Sequence, residues 1–170
     1  MSRLEYETEY HFEPIQIDFS KLARPLTTNF IYGYFSPESR IRLRLLNPKI
    51  DLALESVVEA LLETKVFISD NGVKRVKTVE NVNLRVGLKL FEAAERTLAK
   101  TIRIYLPTTE EDRGIWLVSF ELGTWNIIAC EYEGEVPPVV KPEFAGEPVA
   151  LTDENRFMTY NASTPRSQAD

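Results

Sequence analysis

The sequence predicts an α+β fold: a mainly antiparallel sheet with two principal helices and a proline-rich extended C-terminal arm. Three observations lead there. Charged and apolar residues alternate at period two in several stretches, and apolar residues recur at helical spacing in two others. Five of the ten prolines fall in the final 36 residues. A chain of 170 residues, 44% apolar and 27% charged, is sized for one domain, read here as 1–134, followed by an arm at 135–170.

In chain order, Leu4, Tyr6, Thr8, Tyr10 and Phe12 fall on one side of a strand, with Glu5, Glu7, Glu9 and His11 on the other. Pro14 interrupts it, and Ile15, Ile17 and Phe19 continue the alternation as a bent extended piece. The run 30–35 is rich in strand formers, 36–39 has turn chemistry, and the return at 40–45 alternates without fault. The Arg40, Arg42, Arg44 side of that return must face water, carboxylates or phosphate.

Asn47 and Pro48 read as the cap and first position of a helix over 47–64, with Ile50, Leu54, Val57, Val58, Leu61 and Leu62 as its apolar stripe. Glu55, Glu59 and Glu63 repeat at spacing four along it; these like charges repel, so burial or a nearby cation must hold the segment. Asp70, Asn71 and Gly72 between the β-rich runs 66–68 and 73–79 predict a hairpin, because a tight turn needs residues that tolerate positive φ.

A second helix fits 82–100, capped near Glu80 or Asn81. Leu84, Leu88, Phe91, Ala94 and Leu98 form its buried side; Arg85, Lys89, Arg96 and Lys100 share the exposed side. Strands follow at 102–106, 115–122 and 125–132, with Glu110, Glu111 and Asp112 in the polar loop 107–114. From 135 the pattern dissolves into an extended arm without regular elements, yet Phe144, Phe157, Met158 and Tyr160 remain as apolar anchors. From Asn47 onward, the order helix, hairpin, helix, three strands resembles small adaptor domains of the roadblock or longin kind.

The formal charge of −6 is unevenly spread. Residues 40–103 carry +5, residues 1–39 carry −3 and residues 104–170 carry −8. This basic middle between acidic ends predicts complementary contacts, within the fold or between copies. The Glu5, Glu7, Glu9 row and the Arg40, Arg42, Arg44 row are expected to face one another across adjacent strands.

Catalytic chemistry has few candidates. His11 is the single histidine and sits beside Glu9 on a polar strand face, and Cys130 is the single cysteine, inside an apolar strand. An intramolecular disulfide is impossible, and a zinc cage lacks ligands. No phosphate-loop or dinucleotide glycine pattern occurs. The opening residues lack the blocks of a secretory signal, and no apolar run reaches membrane-spanning length, so a cytoplasmic protein without a membrane partner is expected.

No catalytic, cofactor or metal residue is therefore assigned. The expected function is a non-catalytic protein-binding or assembly subunit whose partners are other proteins or copies of itself. Its contacts would be Phe144, Phe157, Met158 and Tyr160 together with a basic surface of Lys74, Arg75, Lys77 and Arg96. The first alternative is a nucleic-acid-binding module using the basic region 74–103. The second is a metal-assisted hydrolase using acids near 110–112 and 131–135.

Overall fold

The computed structural model describes residues 2–14, 26–46, 53–68, 74–105, 115–121, 124–132, 145–149 and 157–167. Sheet dominates. The strands are β1 (Ser2–Pro14), β2 (Leu26–Tyr34), β3 (Ser39–Leu45), β4 (Val57–Phe67), β5 (Lys74–Asn81), β6 (Arg96–Tyr105), β7 (Ile115–Glu121), β8 (Thr124–Tyr132), β9 (Ala145–Val149) and β10 (Thr164–Pro165). The helices are α1 (Leu84–Glu92) and the five-residue α2 (Met158–Ala162), with a 3-10 turn at Leu54–Ser56. Among the described residues no helix is long and apolar enough to cross a membrane.

Every pairing is antiparallel, in the order β6-β2-β3-β4-β5-β1-β8-β7, and β7 pairs back onto β6. Eight strands therefore close into a barrel. β9 adds to β1 and β10 adds to β6. The expected antiparallel sheet is present, and the hairpins β2–β3, β4–β5 and β7–β8 join the runs that the alternation pairs. The turn at Asp70, Asn71 and Gly72 lies outside the described residues.

The helix expected over 47–64 is not there. Residues 47–52 lie outside the described residues, and the rest is the 3-10 turn followed by β4. The run reads at both periods, but Val57, Val58, Thr64 and Val66 are β-branched and favour an extended backbone. The partner strand settles the outcome. In β4, Glu59 and Glu63 stand opposite Arg44 and Arg40 of β3, so the acids that would repel on a helix each meet a cation. The element order that resembled roadblock or longin domains is absent with that helix.

The second helix is shorter than expected. Asn83 caps it, its side chain accepting from the Arg85 N–H at 3.0 Å, and the chain leaves the helix at Ala93. Arg96, Leu98 and Lys100 belong instead to β6, where pairing with β2 over Leu26–Tyr34 draws them into the sheet. The arm also departs from expectation. Its described parts carry β9, α2 and β10, and Arg166 ties it down by donating to Phe91 O at 2.9 Å and to Glu92 O.

α1 fixes which face of the wall is outside. A helix is about 10 Å across, whereas an eight-stranded barrel has an interior just wide enough for side chains or one small ligand. α1 must lie on the exterior, and the strand residues it covers point outward. Those residues form the main core: Ile31, Ile41, Leu43, Leu45, Val57 and Ala60, buried against Phe91. The approach is close enough to require glycine at Gly33, where a Cβ would stand 2.8 Å from the Ala94 Cβ.

Candidate functional site

With Ile41 and Leu43 outward, alternation turns Arg40, Arg42 and Arg44 inward, and the registers carry this assignment around the barrel. On β2 the inward residues are Phe30, Tyr32 and Tyr34, and on β6 they are Arg96, Leu98 and Lys100. On β4 they are Glu59, Leu61, Glu63, Lys65 and Phe67. Arg75 and Lys77 of β5 and the Glu5, Glu7, Glu9, His11 row of β1 share this face. The barrel is thus apolar outside, beneath a helix, and charged within.

Glu63 is the deepest carboxylate, with no exposed surface. Arg40 Nε donates to its Oε2 at 2.7 Å, and Arg42 Nη1 lies 3.0 Å from its Oε1. Burial opposes its ionisation, but the charges of Arg40, Arg42 and Lys65 and the Arg40 hydrogen bond prevail, holding its pKa down at about 2. Reciprocally, the carboxylate keeps Arg40 charged despite the burial that opposes it. Each guanidinium also stacks on an inward ring: Arg40 lies 4.4 Å from the Tyr32 centroid and Arg42 4.9 Å from that of Phe30. Burial drives the Tyr32 phenol well above its usual range, so it stays a neutral donor.

A second group of charges surrounds β1. Glu7 accepts from Arg75 Nε at 2.6 Å and Lys77 Nζ at 2.5 Å, and Lys65 Nζ reaches it at 3.8 Å. Burial opposes ionisation there too, but these three cations hold the Glu7 carboxyl far below the usual carboxylate range. Glu5 meets Lys77 at 2.9 Å and also pairs with Arg3; burial is again outweighed and its pKa is lowered. Glu9 is ion-paired with Arg75 and lies 2.6 Å from His11 Nε2.

The expected Glu-to-Arg row contact across adjacent strands is corrected by this register. β1 pairs with β5, and β3 pairs with β4. Each row has found a different set of opposite charges, and the two meet only through the shared interior.

The proposed contact residues are divided among several places. Arg75 and Lys77 point inward in ion pairs while Lys74 lies on the opposite face, so 74, 75 and 77 do not form one continuous basic surface. Arg96 is also inward, donating from Nε to Ser163 Oγ at 2.8 Å, with Tyr160 stacked 5.2 Å away. Tyr160 packs edge-on against Tyr34 at 5.5 Å, and Phe157 edge-on against Phe67 at 5.4 Å. These two anchors therefore rest on the chain's own barrel. Met158 begins α2, and Phe144 lies outside the described residues, as do Glu110, Glu111, Asp112, Glu133 and Glu135. Glu131 stands in β8, paired in register with Glu9.

Sequence reasoning picked out the arginine and glutamate rows but missed Glu59, Glu63 and Lys65 as their companions. The available signal was the alternation of 59, 61, 63 and 65 against 60, 62, 64 and 66, masked by the helical spacing of the same residues. Two polar atoms of this interior, Tyr34 Oη and Arg42 Nε, have no hydrogen-bond partner among the described residues.

The fold and this interior define the class: a closed eight-stranded antiparallel barrel enclosing ionised side chains. No family model matches the chain, and no curated protein matches it. Its fold is similar to the solved structure of a conserved hypothetical protein from Pyrococcus furiosus, at 12% identity and a TM-score of 0.50, covering 95% of this chain and 97% of that one. The PH1012 protein from Pyrococcus horikoshii OT3 gives a TM-score of 0.49 at 12% identity, covering 77% of this chain and 80% of that one.

Proposed function

We propose that the protein binds a small, multiply charged oxyanion of the phosphate class inside its barrel. One observation carries this reading. Among the residues whose side chains are described, the inward cations Arg3, Arg40, Arg42, Arg44, Lys65, Arg75, Lys77, Arg96 and Lys100 outnumber the inward carboxylates Glu5, Glu7, Glu9, Glu59 and Glu63. Excess positive charge partly withdrawn from bulk water is costly unless an anion shares the space, and planar guanidinium donors suit phosphate oxygens. The carboxylates keep the cations extended and fixed before any ligand arrives, which lowers the ordering cost of binding.

The test is calorimetric titration of the whole chain with orthophosphate, pyrophosphate, tripolyphosphate and ATP, with citrate as a non-phosphate control. Binding should strengthen with the number of phosphates and weaken as salt rises, and Arg42→Gln should weaken it at least roughly tenfold, as loss of a charge-assisted contact does. Absence of heat with every phosphate at millimolar concentration would remove this reading.

Metal-assisted hydrolysis of the bound anion is a second reading, favoured by the register that sets Glu9 against Glu131. Acids contributed by adjacent strands are the ligand type that a magnesium ion takes. Orthophosphate release from those same compounds, measured with and without magnesium, tests it. A role in assembly rests on the outer wall and is independent of this interior. The cytoplasmic placement belongs to the proposal too, since the lone Cys130 suits a reducing compartment.

A further inference from the structure

We propose that the outer wall formed by β1, β5 and the end of β4 is a two-fold interface, its occupant a second copy of this chain. The wall is apolar where water should make it polar. Leu4 is 57% exposed, Tyr6 65%, Val66 51% and Ile68 55%. They form one patch. Tyr6 and Val66 flank Val76, Leu4 and Thr64 flank Thr78, and Ile68 continues the ladder through its N–H to Lys74 O at 2.9 Å. α1 shields the walls of β2, β3 and early β4 and leaves this one uncovered. Because β5, the central strand of the patch, is paired on both sides by β1 and β4, a partner seated on it must use side chains rather than add a strand.

The charges at the ends of the patch select the occupant. The outward row of β5 reads Lys74, Val76, Thr78, Glu80, with opposite charges bounding a neutral centre. A two-fold axis lying across the strands in the plane of contact reverses this row against itself. Lys74 then faces Glu80 of the second copy at both ends, Tyr6 faces Leu4, and Val76 faces Thr78. An axis along the strands would set Lys74 against Lys74, which repels. The patch is thus complementary to its own reversed copy, as an isologous dimer requires. Arg75 and Lys77 point the other way, so pairing leaves the barrel interior undisturbed.

Three strands about 4.8 Å apart and seven residues long give a patch of roughly 10 by 20 Å. That lies below the standard interface of about 1,200 Å² or more, so the dimer should be reversible and concentration-dependent. Sedimentation velocity on the whole chain, from micromolar to about 0.5 mM, should show a monomer passing into a dimer. Lys74→Glu or Glu80→Lys alone should weaken it roughly tenfold, each introducing two like-charge contacts per dimer. The double reversal should return to within about threefold of the parent. Tyr6→Thr, which keeps strand propensity, should weaken it by roughly tenfold or more. A chain that stays monomeric throughout, or a double reversal no tighter than the single ones, would overturn the proposal.

Discussion

Replacing Glu63 by glutamine keeps its volume and one acceptor for Arg40 but deletes the charge between two guanidiniums. The magnitude follows from the geometry by two routes. Glu63 has no exposed surface, and its partners stand at 2.7 and 3.0 Å, so its loss leaves Arg40 and Arg42 uncompensated in a poorly hydrated interior. Breaking one side of such a buried pair costs about 3–5 kcal/mol. Separately, depression of its pKa from 4.5 to about 2 corresponds to about 3 kcal/mol favouring the ionised folded state. Both routes put the cost at about 3 kcal/mol at neutral pH.

The second route also fixes the pH dependence. A carboxyl whose folded pKa lies below its unfolded value stabilises fully above the unfolded pKa, and that contribution is lost as pH falls through the folded one. Urea unfolding of parent and Glu63→Gln, followed by tryptophan fluorescence at pH 7, 4, 3 and 2, should show a gap that is widest at pH 7. The gap should narrow steadily below pH 4.5 and be mostly closed near pH 2. Glu7, held lower still, is present in both proteins and cancels. A gap under about 1 kcal/mol at pH 7, or one constant with pH, would refute a buried ionised Glu63.

Three further outcomes can be checked by the same unfolding measurements. Gly87→Ala should destabilise by about 1–3 kcal/mol despite alanine's helix preference, because its Cβ would lie 2.4 Å from the Ala60 Cβ; adding Ala60→Gly should recover at least half. Arg166→Ala should cost about 1–2 kcal/mol and raise hydrogen exchange at the end of α1, since it removes the bonds to Phe91 O and Glu92 O and the stack over Phe91. Tyr34→Phe should be neutral or stabilising, as the hydroxyl it removes is buried without a partner among the described residues; a loss above about 1 kcal/mol would mean that Oη is bonded.

Much of the sheet was legible because its strands announce themselves one at a time. Glu5 to His11 alternate with their neighbours, Arg40 to Arg44 do the same, and the 66–79 hairpin carries its turn in three residues. Residues 53–64 misled because Val57, Leu61 and Leu62 satisfy a helical stripe as well as a strand. Only the arginines of β3 decide between them, and they are contributed by a different part of the chain. Arg96 and Lys100 were read onto a helix for the same reason: in isolation their spacing suits one, whereas pairing with β2 over 26–34 makes them strand residues.

The interior was illegible for a deeper reason. Period two establishes that the two faces of a strand differ, but it is symmetric and cannot say which face is inside. On an open sheet the charged face goes to water, and that default turned Arg75 and Lys77 into an expected surface. Closing the ring creates a third environment, an enclosed space, while α1 supplies the Phe91 side chain that buries Ile41 and Leu43 on the outside. The apolar rows then need nothing from the interior, and the charged rows are left to one another. Arg40 and Arg42 can remain there only because Glu63 and the rings of Tyr32 and Phe30 replace the water they lose. An interior assembled this way gives up packing enthalpy that a Leu- and Val-filled barrel would keep. The compensation that follows from the chemistry is a polar compartment with positive charge to spare.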